Sequence, residues 1–296
     1  MNRMFPPPRP QSPSPPPPPR PMPVPIDIGV VNTLKFWANN SYEHVEIIQS
    51  AHNAVGATLE PMFAEQLQRL YQEFDTVNMN ILYNQYPSNF SELFDKYLTA
   101  NKEFLALLES LKFEGYNGYP SLYETVQHII FEQLYTHQVL MNSNFPTNFE
   151  LNLEIDPNMF TTELNSQVTD LKGAMYFWSL IGAEHTSIIS TASQFDDNLP
   201  DITKNILAYF RTTFNSFNYV LSNPEASYVG YINVLADNFV EVNVQFLSVL
   251  NNFKNSNSTL LPNTIKVTLS PLFGLVLNHI IREHERVIEL MRAFNN

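Results

Sequence analysis

The sequence predicts an all-α chain in which a four-helix unit occurs twice in tandem, after a disordered proline-rich tail. Apolar residues recur at helical spacing through most of the 296 positions, and turn-forming residues divide them into eight segments. The pair Phe36-Trp37 followed by Glu43-His44 returns as Phe177-Trp178 followed by Glu184-His185. A motif that returns in this way indicates an internal repeat, and the predicted helices divide evenly between its two copies.

The first 26 residues differ in composition from the rest of the chain. They contain 13 of the 22 prolines, three arginines and no acid. Proline cannot donate to a hydrogen-bonded ladder, so this segment is predicted to be an extended, disordered tail. The run Pro18-Pro19-Arg20-Pro21 resembles a ligand for a proline-binding protein partner, although a plain solvated leader explains the same composition. The predicted organisation is therefore a tail over 1–26, a first repeat over 27–142, a linker over 143–168 and a second repeat over 169–296.

Breaks in the apolar pattern set the helix bounds. In the first repeat, Asn32 is a predicted cap, Gly56 a predicted end, and Pro87 and Pro120 mark later breaks. The predicted helices cover about residues 32–55, 60–86, 88–113 and 121–141. In the second repeat they cover about residues 168–195, 200–223, 225–255 and 271–294, with a proline near the start of three of them.

The repeat continues beyond the opening motif. Pro120 precedes His128 by eight residues and His128-Ile-Ile-Phe-Glu132 follows; Pro271 precedes His279 by eight and His279-Ile-Ile-Arg-Glu283 follows. Asn101 lies three residues before Phe104, and Asn243 lies three before Phe246. Three of the four helices in each copy thus carry matching positions.

Polar residues at these repeated positions lie on or beside apolar helix faces. At about 100° per residue, His44 and His185 fall inside the apolar face of their helices, and Glu43 and Glu184 fall at its edge. His128 and Glu132 share a face because they are four residues apart. Imidazoles and carboxylates brought together in a core predict an iron, manganese or zinc site in each copy. The predicted ligands are Glu43, His44, His128 and Glu132 in the first copy and Glu184, His185, His279 and Glu283 in the second.

A metal-free alternative explains the same pattern. A histidine and a glutamate on facing helices can hydrogen-bond to each other as a buried polar pair, and common descent would repeat that pair. Asn101 and Asn243 are weak metal ligands, so they are predicted to hydrogen-bond to ligands or to serve packing. His52, His137 and His284 are predicted to be surface or helix-end groups.

Composition excludes several functions. The net charge of −13 argues against a nucleic-acid surface, and the chain has no cysteine for disulfide or thiolate chemistry. No apolar run is long enough to span a membrane, and the N-terminus has no apolar segment typical of a signal peptide. We therefore expect a cytoplasmic protein, whose oligomeric state the sequence leaves open. The second helix of each repeat lacks a central carboxylate and no Glu-x-x-His pair occurs, which disfavours a di-iron oxidase and, more broadly, an enzyme.

The chain resembles the bacterial family called domain of unknown function 2935. The resemblance lies in the two Phe-Trp-x5-Glu-His motifs and in Leu269-Ser-Pro271-Leu272-x6-His279-x2-Arg282-Glu283, and it covers roughly residues 30 to 294. It implies a ferritin-like bundle in each repeat, a metal in the bundle and no established activity. It also implies a Gram-positive, often spore-forming source, in which the tail would attach the protein to a spore coat or envelope layer.

Two main functions follow as expectations, and a third, an oxidase or peroxide-consuming enzyme, would require a measured turnover. The leading one is a ferritin-like metal-binding protein. Its rival is a non-catalytic structural or interaction scaffold, tethered by the proline-rich tail and free of metal.

Overall fold

A computed structural model describes residues 28–83, 89–114, 120–141, 171–194, 199–223, 229–255 and 271–295. Within these ranges the regular elements are α-helices and no strand occurs, which confirms the predicted all-α class. The predicted tail over 1–26 and the predicted linker over 143–168 lie outside the described residues.

Eight helices follow one another along the described part of the chain. They are α1 (Ile28–Ala54), α2 (Pro61–Tyr83), α3 (Phe90–Glu114), α4 (Pro120–Met141), α5 (Leu171–Gln194), α6 (Asp201–Leu221), α7 (Val229–Lys254) and α8 (Pro271–Asn295).

The start of α1 differs from the prediction, whereas its end agrees. The helix already includes Ile28, so Asn32 lies inside it instead of capping it. Gly29 belongs to this extra turn, and its carbonyl oxygen accepts a hydrogen bond from the Thr33 hydroxyl at 2.8 Å. At the other end Gly56 has a φ of +67°, a left-handed conformation that suits glycine and stops the helix.

The helices pack in three connected rings. Helices α1, α2, α3 and α4 contact their neighbours in sequence, and α1 also contacts α4. Helices α5, α6, α7 and α8 repeat this arrangement, with α5 against α8. Between the two sets, α1 packs on α8 and α4 packs on α5. The helices α1, α4, α5 and α8 therefore form a central ring to which each half of the chain contributes two members.

Aromatic packing is similar in the two halves. In the first, the Phe74 ring lies 5.6 Å from that of Tyr97 and 5.7 Å from that of Phe104. In the second, Phe214 contacts Phe239 and Phe246 with ring centroids 6.1 and 5.6 Å apart. Phe74 and Phe214 thus occupy corresponding places on α2 and α6.

The two repeated tryptophans meet between the halves. The rings of Trp37 and Trp178 are stacked, 6.0 Å apart and inclined by 10°. Both side chains are buried, as predicted from the apolar faces of α1 and α5. The tryptophan pair therefore belongs to the contact between the two sets of helices. None of the described helices is long and apolar enough to cross a membrane.

Candidate metal centre

The repeated histidines and glutamates meet inside the central ring of α1, α4, α5 and α8. Their side chains point inward because each lies on the face that its helix turns toward the other half of the molecule. Six of them form one group, which we call the histidine–glutamate cluster: His44, His128, Glu132, His185, His279 and Glu283, all of them buried.

One set of possible ligands in this cluster contains His44, Glu132, His279 and Glu283. His44 Nε2 lies 2.9 Å from Glu132 Oε2 and 3.0 Å from His279 Nε2. His279 Nε2 in turn lies 3.3 Å from Glu283 Oε1. One ligand atom from each of the four residues lies within 4.8 Å of the others. This spacing is close enough for the four residues to hold one metal ion.

The second set contains His128, His185 and the same two glutamates. His185 Nε2 lies 3.0 Å from Glu283 Oε2 and 3.9 Å from Glu132 Oε1. His128 Nε2 lies 3.3 Å from Glu132 Oε1, and the four ligand atoms again lie within 4.8 Å of one another. Because Glu132 and Glu283 belong to both sets, the two possible ion positions are neighbours that share two carboxylates.

Several inward atoms of the cluster have no hydrogen-bond partner. They are both carboxylate oxygens of Glu132, Glu283 Oε2 and His185 Nε2. The short contacts from the facing histidines satisfy these oxygens only where the histidine nitrogen carries a proton. Only Glu283 Oε1 accepts a hydrogen bond, from the Asn40 side-chain amide. Buried acceptors without partners cost about 1–3 kcal/mol each, and a cation between them would remove that cost.

Hydrogen bonds outside the cluster determine which nitrogen of His185 carries the proton. The Asn243 amide nitrogen donates to the Phe239 carbonyl oxygen at 2.7 Å, which leaves Asn243 Oδ1 as an acceptor for His284 Nδ1–H, also at 2.7 Å. His284 Nε2 is then an acceptor, and it receives the Nδ1–H of His185 at 3.0 Å. His185 Nε2 is therefore a bare lone pair directed at Glu283, assigned from this network. An unprotonated nitrogen that faces a carboxylate is available to bind a metal ion together with it.

Two further histidines are held by carboxylates. His128 Nδ1 donates to Glu184 Oε2 at 2.7 Å, and His279 Nδ1 donates to Glu43 Oε2 at 3.0 Å. In each neutral ring the proton is thus on the outer nitrogen, and Nε2 faces the cluster. A carboxylate on the outer nitrogen of a metal-binding histidine fixes its orientation and raises its basicity.

His44 is held by an amide instead. Its Nδ1 lies 2.7 Å from Gln133 Nε2, and Gln133 Oε1 accepts from the Ser41 hydroxyl at 3.0 Å. Ser41 Oγ lies 2.8 Å from the Tyr97 hydroxyl, so the amide can also turn over, accept from His44 Nδ1–H and donate to Ser41. In the orientation that the structure shows, the amide donates to His44 Nδ1, so His44 Nε2 carries the proton and donates to His279 Nε2 at 3.0 Å. Only with the amide turned over is His44 Nε2 bare, like the other three inner nitrogens.

Burial favours neutral imidazoles in part of the cluster. It lowers the pKa of His44 and of His185, and it holds the pKa of His284, which lies outside the cluster beside His185, well below its usual range. Burial raises the pKa of Glu132, but His128 and His44 outweigh it, and the net shift is well below the usual value. Neutral imidazole and ionised carboxylate are the forms that bind metals.

His128 shows the opposite tendency. Burial lowers its pKa, but Glu132 and Glu184 outweigh burial, so the net pKa lies well above the usual value. In the absence of a cation, a charged His128 between two carboxylates would partly balance the cluster. This is the metal-free ion pair that the sequence left open as an alternative.

The donor set fits a transition metal or zinc. Each set offers two imidazole nitrogens and two carboxylate oxygens, a combination suited to iron, manganese or zinc. Each imidazole is also oriented through its outer nitrogen, as in known metal sites. The histidines and glutamates of the cluster are therefore close enough to hold a metal ion, and their arrangement does not determine which metal.

The structure groups the predicted ligands differently from the prediction. Each set takes one histidine and one glutamate from each half, whereas the sequence predicted one site within each copy. Glu43 and Glu184 belong to neither set, because residues adjacent in a helix point about 100° apart, and these two instead hold His279 and His128. That the cluster binds a metal remains a prediction.

The two predicted asparagines have different neighbours. Asn243 reaches the cluster through His284. Asn101 donates to the Gln133 backbone carbonyl oxygen at 3.1 Å, and its own Oδ1 is buried without a hydrogen-bond partner.

Three histidines predicted to be surface or helix-end groups are buried instead. His52 is 5% exposed, His137 3% and His284 1%. The helices of the central ring pack on their own half and on the other half, so their buried surface is wider than one amphipathic face. His284 and Gln133 support His185 and His44, a role that was not predicted from the sequence. They follow Glu283 and Glu132 directly in the sequence. Their matching positions in the two repeats were the signal that could have identified them.

The chain was compared with protein-family models and with curated proteins, and neither comparison finds a match.

Proposed function

We propose that this chain is a metal-binding protein whose histidine–glutamate cluster holds two ions of iron, manganese or zinc, bridged by Glu132 and Glu283. The observation that carries the proposal is a pair of buried carboxylates, three of whose four oxygens lack hydrogen bonds while histidine Nε2 atoms converge on them. Each ion would have two imidazoles, and the two carboxylates would span both ions. In known two-metal sites the ions are about 3.5–4 Å apart, a separation that shared carboxylates permit.

The proposed fold type is ferritin-like, with one four-helix bundle in each half. The ring of contacts among α1–α4 and its repetition among α5–α8 support this proposal. Membership of the family called domain of unknown function 2935 remains a proposal that rests on the motifs quoted above. Attachment of the chain to a spore or envelope layer through the proline-rich tail is proposed on the same resemblance.

Metal analysis of the purified chain tests the proposal. After expression in medium that contains iron, manganese and zinc, we expect about two ions per chain by elemental mass spectrometry, because the two ligand sets require two. Glu283→Gln should lose both ions, since both sets need this carboxylate. His279→Ala should lose only the ion that it shares with His44.

Glu289→Gln is the matched control for the glutamate variant. Glu289 lies on the same helix, but its side chain is 70% exposed and pairs with Arg286, so metal content should be unchanged. A correctly folded wild-type chain that contains no metal would contradict the proposal. It would favour the tethered scaffold, in which a charged His128 pairs with Glu132 and Glu184.

A further inference from the structure

A groove borders the cluster at His128. It has a volume of about 570 Å³ and runs over α5 between α4 and α6. Its wall includes His128 and Glu184, the pair whose hydrogen bond orients one predicted ligand. This volume falls in the range typical of small-molecule sites.

The corresponding place in the first half is filled by two tyrosines. Tyr42 directly precedes Glu43, as Ala183 precedes Glu184, and Tyr71 lies three residues before Phe74, as Arg211 lies three before Phe214. The rings of Tyr42 and Tyr71 pack edge to face, 5.6 Å apart. Ala183 and Arg211 both line the groove. The exchange of two aromatic rings for a methyl group and a flexible cation therefore opens the groove.

Glu43 and Glu184, which hydrogen-bond to His279 and His128, also differ in exposure and in their charged neighbours. The Glu43 side chain is 7% exposed and pairs with Arg282. The Glu184 side chain is 43% exposed, and the residue in the place of Arg282 is Phe131, which carries no charge. Glu184 thus faces the groove without the cation that its counterpart has.

The basic and the acidic side chains of the groove lie on different helices. Lys204 and Arg211 come from α6, whereas the carboxylates of Glu124 and Glu184 come from α4 and α5. Among the residues that the structure describes, Lys204 has one ion pair, a distant contact to Asp201 at 3.9 Å. A simple anion would meet both carboxylates, and a simple cation would meet both bases. A molecule with one charge of each sign would match both walls.

We infer that this groove binds a small zwitterion that carries an ammonium group and a carboxylate. The carboxylate pairs with Arg211 and Lys204, and the ammonium group pairs with Glu184 and Glu124. The hydroxyls of Ser187 and Thr191, which also line the groove, supply neutral hydrogen bonds along its length. The bound molecule covers the His128–Glu184 hydrogen bond, so it lies beside the cluster without replacing any of its ligands. The inference does not require a metal in the cluster.

A series of ω-amino acids measures the spacing of the two charges. Glycine, β-alanine, 4-aminobutyrate and 6-aminohexanoate are titrated into the full chain by isothermal calorimetry, with butyrate and butylamine as singly charged probes. We expect one member of the series to bind at least tenfold more tightly than either singly charged probe, because only that member pairs with both walls. Equal binding of butyrate, or no binding by any of the amino acids, would overturn the inference.

Substitutions test whether the amino acid binds in this groove. Arg211→Gln should weaken binding of the best amino acid at least tenfold, since Arg211 is exposed and its removal leaves the core intact. Ala183→Tyr installs the residue of the first half and should block the groove. Lys254→Gln removes an exposed cation on α7, far from the groove in sequence, and should leave affinity unchanged. Unchanged affinity in Arg211→Gln would refute the inference.

Metal content is measured on the same samples. Arg211→Gln should keep the metal content of the wild type, because Arg211 lies outside the cluster. A metal-free wild type that still binds the amino acid would refute the metal centre alone. A metal-loaded wild type that binds no amino acid would refute the groove alone.

Discussion

Each half contributes two histidines and one glutamate to the central cluster, but the two halves hold these side chains differently. In the first half His44 is held by the Gln133 amide, which can present either its nitrogen or its oxygen. In the second half His185 is held by His284, whose proton is fixed by Asn243. One imidazole therefore has two available tautomers and the other has one.

This difference separates two requirements of a buried site. The inner residues match between the halves because they must converge on the same two carboxylates. The outer residues need only present one acceptor to an imidazole N–H, and an amide or a second imidazole can do so. The residues that support a predicted ligand can therefore vary more in their chemistry than the predicted ligand can.

The largest expected effect comes from removing the fixed support. His284→Leu leaves His185 Nδ1 and Asn243 Oδ1 buried without partners, which should lower the free energy of unfolding by about 4 kcal/mol. Metal affinity should fall about 10–100-fold because His185 loses its orientation. Urea denaturation and metal titration measure the two effects.

His284→Gln is the control, because it gives His185 the amide support that His44 has. Most of the lost stability and affinity should return. If His284→Gln were as damaging as His284→Leu, an amide could not replace the imidazole, and the proposed equivalence of the two supports would be wrong.

A smaller effect concerns a histidine that the other half lacks. Five residues after Glu132 the chain has His137, whereas five after Glu283 it has Ile288. Burial, with a contribution from Lys102, lowers the pKa of His137 to about 4. Between about pH 6.5 and that value the unfolded chain binds a proton at this position that the folded chain does not, so stability falls as pH falls.

Replacing His137 with isoleucine should remove this dependence. Comparing pH 7 with pH 4.5 in metal-free protein, the wild type should lose about 2–3 kcal/mol more unfolding free energy than His137→Ile. Urea denaturation at both pH values provides the measurement. Parallel losses in the two proteins would show that His137 titrates normally in the folded state.

The smallest effect comes from making the supports alike. Gln133→His copies the second half into the first, where Asn101 Oδ1 is buried without a partner and matches Asn243 in position. The new ring can donate to Asn101 and accept from His44. Stability should therefore change by less than about 1 kcal/mol. A loss of several kcal/mol in thermal unfolding would show that the first half cannot accommodate the ring.

Much of the helical structure could be predicted from the sequence, because apolar periodicity and the breaks at Gly56, Pro120 and Pro271 are local signals. The inward placement of His44 and His185 followed from the same periodicity. The residues that contact these histidines could not be predicted from that periodicity. Periodicity shows which face of a helix is buried, but not which of several neighbouring helices covers it.

The error on His284 has the same origin. A helix packed on one side has a single buried face, and His284 points about 100° away from Glu283, the neighbouring predicted ligand on α8. Because α8 contacts α7, α5 and α1, its buried surface extends further around the helix. Only the arrangement of the helices, which the sequence does not state, places His284 beside His185.

Each half of the molecule contains two imidazoles and one carboxylate of the cluster, and neither half contains a complete set for even one ion. A fragment that ends after α4 would therefore be a poor chelator by itself. Two such fragments, paired face to face, would rebuild a full set around a twofold axis. The joined chain makes that pairing intramolecular, so the centre no longer depends on protein concentration.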